Sequence, residues 1–342
     1  MRGKPEWMHE LKRFEKVSAR RAIGQLLSSA LPYIFLFAAM VWVVMRGWPY
    51  WVVLILCVPA SGFLVRIFIL LHDAGHYAFS DSRRVNAILG YACGILTFTS
   101  FPDFRRSHAV HHATVGNLDR RGEGDVWTMT TAEYRASTLP GRVLYRFVRN
   151  PIVLFLVLAP LNFLALNRIP HQWKRRYDVI GTLLTDAAIA AIVVAASLTF
   201  GIGPYLLVQL PIMYLASAAG TWLFYIQHQF AGVYWMRNGE WSLVKAALEG
   251  SSFYDLPPFL RFFTGSIGYH HIHHLDARIP NYMLKACHEA IPEVQGLRSI
   301  GLREGFHSLS LRLYDEGTGT LVDFRTYRKN NLGERSGSSP RP

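Results

Sequence analysis

Cysteine is scarce in this chain: Cys57, Cys93 and Cys287 are the only three in 342 residues. They are odd in number, widely separated and outside any CxxC or CxxCH pattern, which excludes a disulfide framework, an iron–sulfur cluster and an attached c-type haem. They read as small buried hydrophobes. No GxGxxG follows a strand-like run, so no dinucleotide fingerprint is present either. Any redox chemistry must therefore draw its electrons from outside the chain. Acidic residues are also in short supply, with 23 Asp and Glu against 36 Lys and Arg, a formal charge of +13. Such an excess fits nucleic acid, anionic lipid headgroups or an acidic protein partner.

Apolar residues make up 51% of the sequence, high for a water-soluble protein. A bilayer core takes about 20 mostly apolar residues per helix, and four windows meet that length: 23–45, 50–71, 180–200 and 204–226. Arg46-Gly47-Trp48-Pro49 joins the first two and Gly201-Ile202-Gly203 the last two, so each pair reads as a helical hairpin. Trp42, Trp48 and Trp51 resemble an interfacial aromatic belt. Arg66 and Asp186 lie near the ends of their windows, where a charge can reach the interface or a partner. Two further apolar stretches, 85–101 and 151–166, are interrupted by Gly, Pro or Asn and read as re-entrant or interfacial. With spanning helices present, lipid headgroups explain the positive charge first, and no nucleic-acid partner is expected.

Basic residues set the orientation. Lys4, Lys12, Arg13, Lys16, Arg20 and Arg21 precede the first window, and the segment between the hairpins carries twelve more from Arg105 to Arg176, whereas the hairpin tips offer only Arg46. The positive-inside rule places both termini and the middle segment in the cytoplasm. The first apolar run is too long for a signal-peptide core and lacks a small-residue cleavage site. The predicted fold is an all-α membrane protein of one domain, residues 1–328, with four transmembrane helices in two hairpins. A cytoplasmic helical cap is built from 72–179 and 227–328, and the Gly-, Ser-, Pro- and charge-rich tail, 329–342, is predicted to be disordered.

Fourteen histidines are present. Eight fall into three clusters: HDAGH (His72, His76), HAVHH (His108, His111, His112) and HHIHH (His270, His273, His274). All lie in segments assigned to the same side of the membrane. Residues at i, i+3 and i+4 project from one side of a helix, so each cluster can aim its imidazoles at one point. Eight imidazoles exceed the coordination of one ion, since zinc takes four ligands and an octahedral ion six. Two metal ions share them naturally. Imidazole alone does not choose among zinc, copper, iron and nickel. A transporter or sensor would place its ionisable ligands in mid-bilayer, and these clusters lie outside the windows.

These boxes resemble those of the membrane fatty acid desaturase family, HxxxH, HxxHH and HxxHH in that order. The resemblance extends to FYIQHQFAGVYW (Phe224–Trp235), ALEGSSFYDLP (Ala247–Pro257) and TGSIGYHHIHHLDARIPNY (Thr264–Tyr282), which are similar to segments of the omega-6 (delta-12) acyl-lipid branch. It implies a non-haem di-iron centre that uses O2 as co-substrate to remove hydrogens from adjacent methylenes of an acyl chain, leaving a cis double bond. The eight box histidines carry over as ligands, and His228 matches a further ligand position. His271 fits no box position. Asp73, Asp125 and Asp276 are candidates to accept the other ring N–H of a ligand. Also implied are a lipid-linked acyl substrate, an external electron donor such as ferredoxin or cytochrome b5, and a place in a bacterial inner membrane with the active site cytoplasmic. A hydroxylase or ketolase of lipids, alkanes or carotenoids on the same di-iron scaffold is the alternative that the boxes by themselves do not separate.

Overall fold

The computed structural model describes residues 5–337, and side chains as far as 330. The chain is mostly helical, and long apolar helices form a bundle from which shorter helices project. Ala19–Met45 and Trp51–Gly75 form the first hairpin, and Arg176–Thr199 and Ile202–His228 the second. The Ser18 hydroxyl caps the first helix by accepting the Arg21 N–H. Gly201 turns the second hairpin at φ +91°, a conformation open mainly to glycine. Trp51–Gly75 is the central helix. It packs against both Ala19–Met45 and Ile202–His228, burying Val53, Cys57, Ala60 and Leu64 against Met40, Val208, Ile212 and Met213.

Among the described residues five helices are long and apolar enough to cross a membrane, or six if one bent pair counts as a span, against the four windows read from sequence. The addition is Pro151–Arg168, read from sequence as interrupted. Its Pro160 lacks the N–H that would bond residue 156, but a π turn at Leu154–Leu158 comes just before it. There the Ala159 N–H reaches back to Leu154 O, shifting the ladder so that the apolar run continues through the proline. The other doubtful stretch is an elbow: Arg83–Leu96 and Phe101–Thr114 meet at 102°. The Thr99 N–H donates to Gly94 O at 2.7 Å, and a Cβ on Gly94 would sit 2.4 Å from Thr99 O. The second arm is pinned to Arg176–Thr199 through Arg106 Nε, which donates to Asp178 Oδ2 at 2.9 Å, and Thr182 Oγ1, which donates to Ser100 Oγ at 2.9 Å.

The all-α expectation needs a small correction. Leu313–Asp315 pairs with Met129–Thr130 in parallel and with Thr320–Val322 in antiparallel, and Phe253–Tyr254 pairs in parallel with Ser299–Ile300. Strands of two or three residues carry no alternation long enough to read in a sequence. Phe324–Gly337 is a helix that takes in the first part of the tail expected to be disordered, and 338–342 lie outside the described residues.

Candidate metal centre

Four helices bring nine histidines together. His72 lies on the last turn of Trp51–Gly75, with His76 as its C-cap. His108, His111 and His112 lie on Phe101–Thr114, His228 ends Ile202–His228, and His270, His273 and His274 lie on the short helix His270–Leu275. That last helix is held by its flank. The Asn281 N–H donates to Asp73 Oδ2 at 3.0 Å, Gln25 Nε2 donates to Asn281 Oδ1 at 2.6 Å, and the Ser18 N–H donates to Tyr282 Oη at 2.8 Å. The IPNY segment thus clamps the third box to both helices of the first hairpin.

The nine divide into two groups whose ring nitrogens lie within 4.8 Å of one another. One holds His72, His76, His108, His112 and His273, the other His111, His228, His270 and His274. The first cluster aims at a single point as expected, and the other two do not. At about 100° per residue, position i+4 lies some 40° to one side of i and i+3 about 60° to the other, so i+3 and i+4 diverge by about 100°. His108 and His112 therefore share a group while His111 faces the other. His270 and His274 likewise pair, and His273 is split off.

The arrangement fits metal ions better than it fits hydrogen bonds. His111 Nδ1 lies 2.7 Å from Asp125 Oδ1 and His228 Nδ1 lies 3.1 Å from the carbonyl oxygen of Gly250. Both acceptors require the proton on Nδ1, which leaves a bare lone pair on each Nε2. Those two Nε2 atoms face each other at 3.1 Å. His228, His270 and His274 continue the pattern at 3.0 Å steps, and in the other group His108, His112 and His273 approach through Nε2 at 3.1 and 3.0 Å. A metal–nitrogen bond of about 2.1 Å places ligands at right angles about 3.0 Å apart. His76 Nε2, buried without a partner, completes the first group.

His76, His270, His273 and His274 are each held well below the ordinary histidine value by loss of hydration, with neighbouring imidazoles adding to the effect. Neutral imidazole is the ligating form. Burial would push the Asp125 carboxyl up, but the hydrogen bonds it accepts from His111 and from the Gly122 N–H work against that and the net direction is down.

Of the three acidic candidates, Asp125 bonds a ring of the cluster, His111. Asp73 has one oxygen 3.6 Å from His72 Nδ1, beyond hydrogen-bond range, and gives the other to Asn281. Asp276 does not fill the role: it caps the end of its helix, accepts the Arg278 N–H and lies 3.7 Å from the Arg278 guanidinium. His271 lies in neither group, its Nε2 3.1 Å from His288 Nδ1 and its ring against Phe253. His171 bonds Asp103. Sequence reasoning did not find Gly250, which orients His228 through a backbone carbonyl and so leaves no side-chain signal.

A cavity of about 710 Å³ runs to the cluster, reaching His72, His108 and His270 between walls that include Val65, Phe68, Leu158, Phe163 and Leu223. One stretch of its wall is polar, where Arg106 meets Asp103, Asp178 and Glu123.

Long apolar helices carrying a paired, buried histidine cluster at their ends define an integral membrane protein with a candidate two-ion centre. The family model described as "Fatty acid desaturase" matches residues 46–305. The chain is also 41% identical over 317 residues to a fatty acid desaturase of Bacillus subtilis (strain 168), covering 92% of this chain and 89% of the relative. It belongs to the fatty acid desaturase family. More distant relatives include a chloroplastic sn-2 acyl-lipid omega-3 desaturase (ferredoxin) of Arabidopsis thaliana, 28% identical over 78% of this chain and 62% of that protein. An sn-1 oleoyl-lipid 12-desaturase of Picosynechococcus is 24% identical over 68% and 67% respectively.

Proposed function

We propose that this protein inserts a cis double bond into a lipid-linked acyl chain, converting oleoyl to linoleoyl groups in the omega-6 (delta-12) sense. The observation that carries the reading is the pair of facing imidazole groups at the end of an apolar cavity. The nine histidines hold two non-haem iron ions, five on one and four on the other. Bound there, the ions supply the O2 chemistry in which two hydrogens leave adjacent methylenes and O2, with two further electrons and two protons, ends as two waters.

The chain's own residues prepare that chemistry. Asp125 and Gly250 hold protons on His111 and His228 Nδ1, so that both Nε2 atoms face the ions. Phe224 packs beside both rings and excludes water. The apolar cavity walls hold a methylene chain extended past His72, His108 and His270. The names of relatives with comparable identity carry both omega-3 and 12-position chemistry, so the omega-6 assignment rests on the segments Phe224–Trp235, Ala247–Pro257 and Thr264–Tyr282.

The four windows read from sequence span the bilayer, with both termini and the metal centre on the cytoplasmic face of a bacterial inner membrane. Pro151–Arg168 and the elbow then insert part-way. The basic cytoplasmic surface receives an acidic electron carrier, ferredoxin or cytochrome b5, alongside anionic headgroups. Expression in a host that makes only monounsaturated acids, with an active electron donor supplied, tests the reading. A new cis diene is expected; a hydroxy acid or an unchanged fatty acid profile overturns it.

A further inference from the structure

Arg149 is 2% exposed and contributes to the cavity wall. Its Nη2 donates to neutral acceptors only: Gln229 Oε1 at 2.8 Å, Leu311 O at 3.2 Å and Tyr225 Oη at 3.4 Å. Nε and Nη1 have no acceptor. Among the described residues no carboxylate lies within ion-pair distance of it. Arg106 on the same cavity is the contrast, since Asp103, Asp178 and Glu123 surround it and leave no positive charge to offer. A buried guanidinium without a counter-charge is strongly unfavourable, and two idle donors add to the deficit. Both idle nitrogens are closed to solvent as the side chain stands, so an anion entering the cavity removes both deficits once the guanidinium turns toward it.

We infer that Arg149 is the head-group anchor of the acyl substrate, binding an oxyanion carried at the polar end of the chain that occupies the cavity. The inference rests on the acyl-chain reading of the cavity. The oxyanion is the phosphodiester of a phospholipid or the carboxylate of a free fatty acid, and both present the acceptor oxygens that a guanidinium takes best.

Trp127 lines the same cavity and reports on occupancy. In metal-loaded, detergent-solubilised protein, quenching of the Trp127 signal is measured with two chain-matched pairs. One is 9,10-dibromostearate and its methyl ester; the other is the corresponding dibrominated phosphatidylglycerol and diacylglycerol. A Trp127→Phe variant identifies the signal. Quenching by the neutral chains in the wild type tests whether the cavity takes acyl chains at all, separately from the anchor. The expected result is that one anionic member binds tighter than its neutral partner by about tenfold or more, the range of a charge-assisted hydrogen bond. Arg149→Gln removes that preference and Arg149→Lys keeps most of it. The responding pair identifies the phosphodiester or the carboxylate as the ligand. If Arg149→Gln does not fold, the wild-type preference and its persistence in Arg149→Lys carry the test. Equal binding of both members of both pairs, or a preference that survives in Arg149→Gln, overturns the anchor.

Discussion

Replacing Asp125 separates the two halves of the metal centre. His111 is completely buried, and its Nδ1 is 2.7 Å from Asp125 Oδ1. Asp125→Ala leaves that N–H without a partner, and an unsatisfied buried donor costs about 1–3 kcal/mol. The ring is also freed to turn or change tautomer, and loss of such an outer partner typically weakens a site by about 10- to 100-fold. Both routes predict a drop of about 5- to 150-fold in affinity at the four-histidine group, since 1.4 kcal/mol is a factor of ten. The five-histidine group contains neither His111 nor a contact to Asp125 and keeps its affinity. Asp125→Asn retains a neutral acceptor and falls between. Anaerobic titration of metal-free protein with buffered Fe2+, followed by elemental analysis, resolves two steps in the wild type. In Asp125→Ala only one moves. If both ions loosen together, or neither does, the division into two groups and the role of Asp125 are wrong.

His228→Ala reduces bound iron from two ions per chain toward one, whereas His271→Ala, outside both groups, leaves two; the reverse order refutes the ligand assignment. Gly94→Ala pushes a methyl within 2.4 Å of Thr99 O at the elbow and lowers stability by about 1–3 kcal/mol, while Gly24→Ala, open on all sides in a helix, raises it by up to about 1 kcal/mol. Thermal unfolding in detergent that ranks them the other way refutes the elbow geometry. The hydrogen bond to Asp103 raises the His171 proton affinity, with burial offsetting part of it. The stabilisation is therefore fully present below the unfolded value near 6.5 and is lost as pH rises through the raised folded value. The thermal midpoint difference between wild type and His171→Gln should shrink from pH 6 to 9, and a constant difference refutes the pairing.

Much of the site was legible because it is written in local spacing. HDAGH, HAVHH and HHIHH put histidines at three- and four-residue intervals, and helical geometry alone brings such positions to one side. His228 was identified by family likeness, and the structure places it among His111, His270 and His274. Hydropathy likewise marked the two hairpins. Pro151–Arg168 was read as interrupted because proline ordinarily ends a helix, and the compensating π turn is a hydrogen-bond rearrangement that composition does not announce.

By itself, then, the sequence determined the long apolar helices, the supply of ligands and their likeness to a desaturase, since length, hydropathy and periodicity act within one segment. Only the tertiary structure decided how the histidines divide into two groups. His108 with His112 and His270 with His274 keep their pairs, but the partner across each gap lies on another helix, 42 to 161 residues away in the pairs 228–270 and 112–273. The same holds for Asp125 beside His111 rather than Asp276, for Gly250 behind His228, and for Arg149 without a carboxylate. Each depends on which surfaces meet when helices pack, and that is set by the whole core and not by any one stretch of chain.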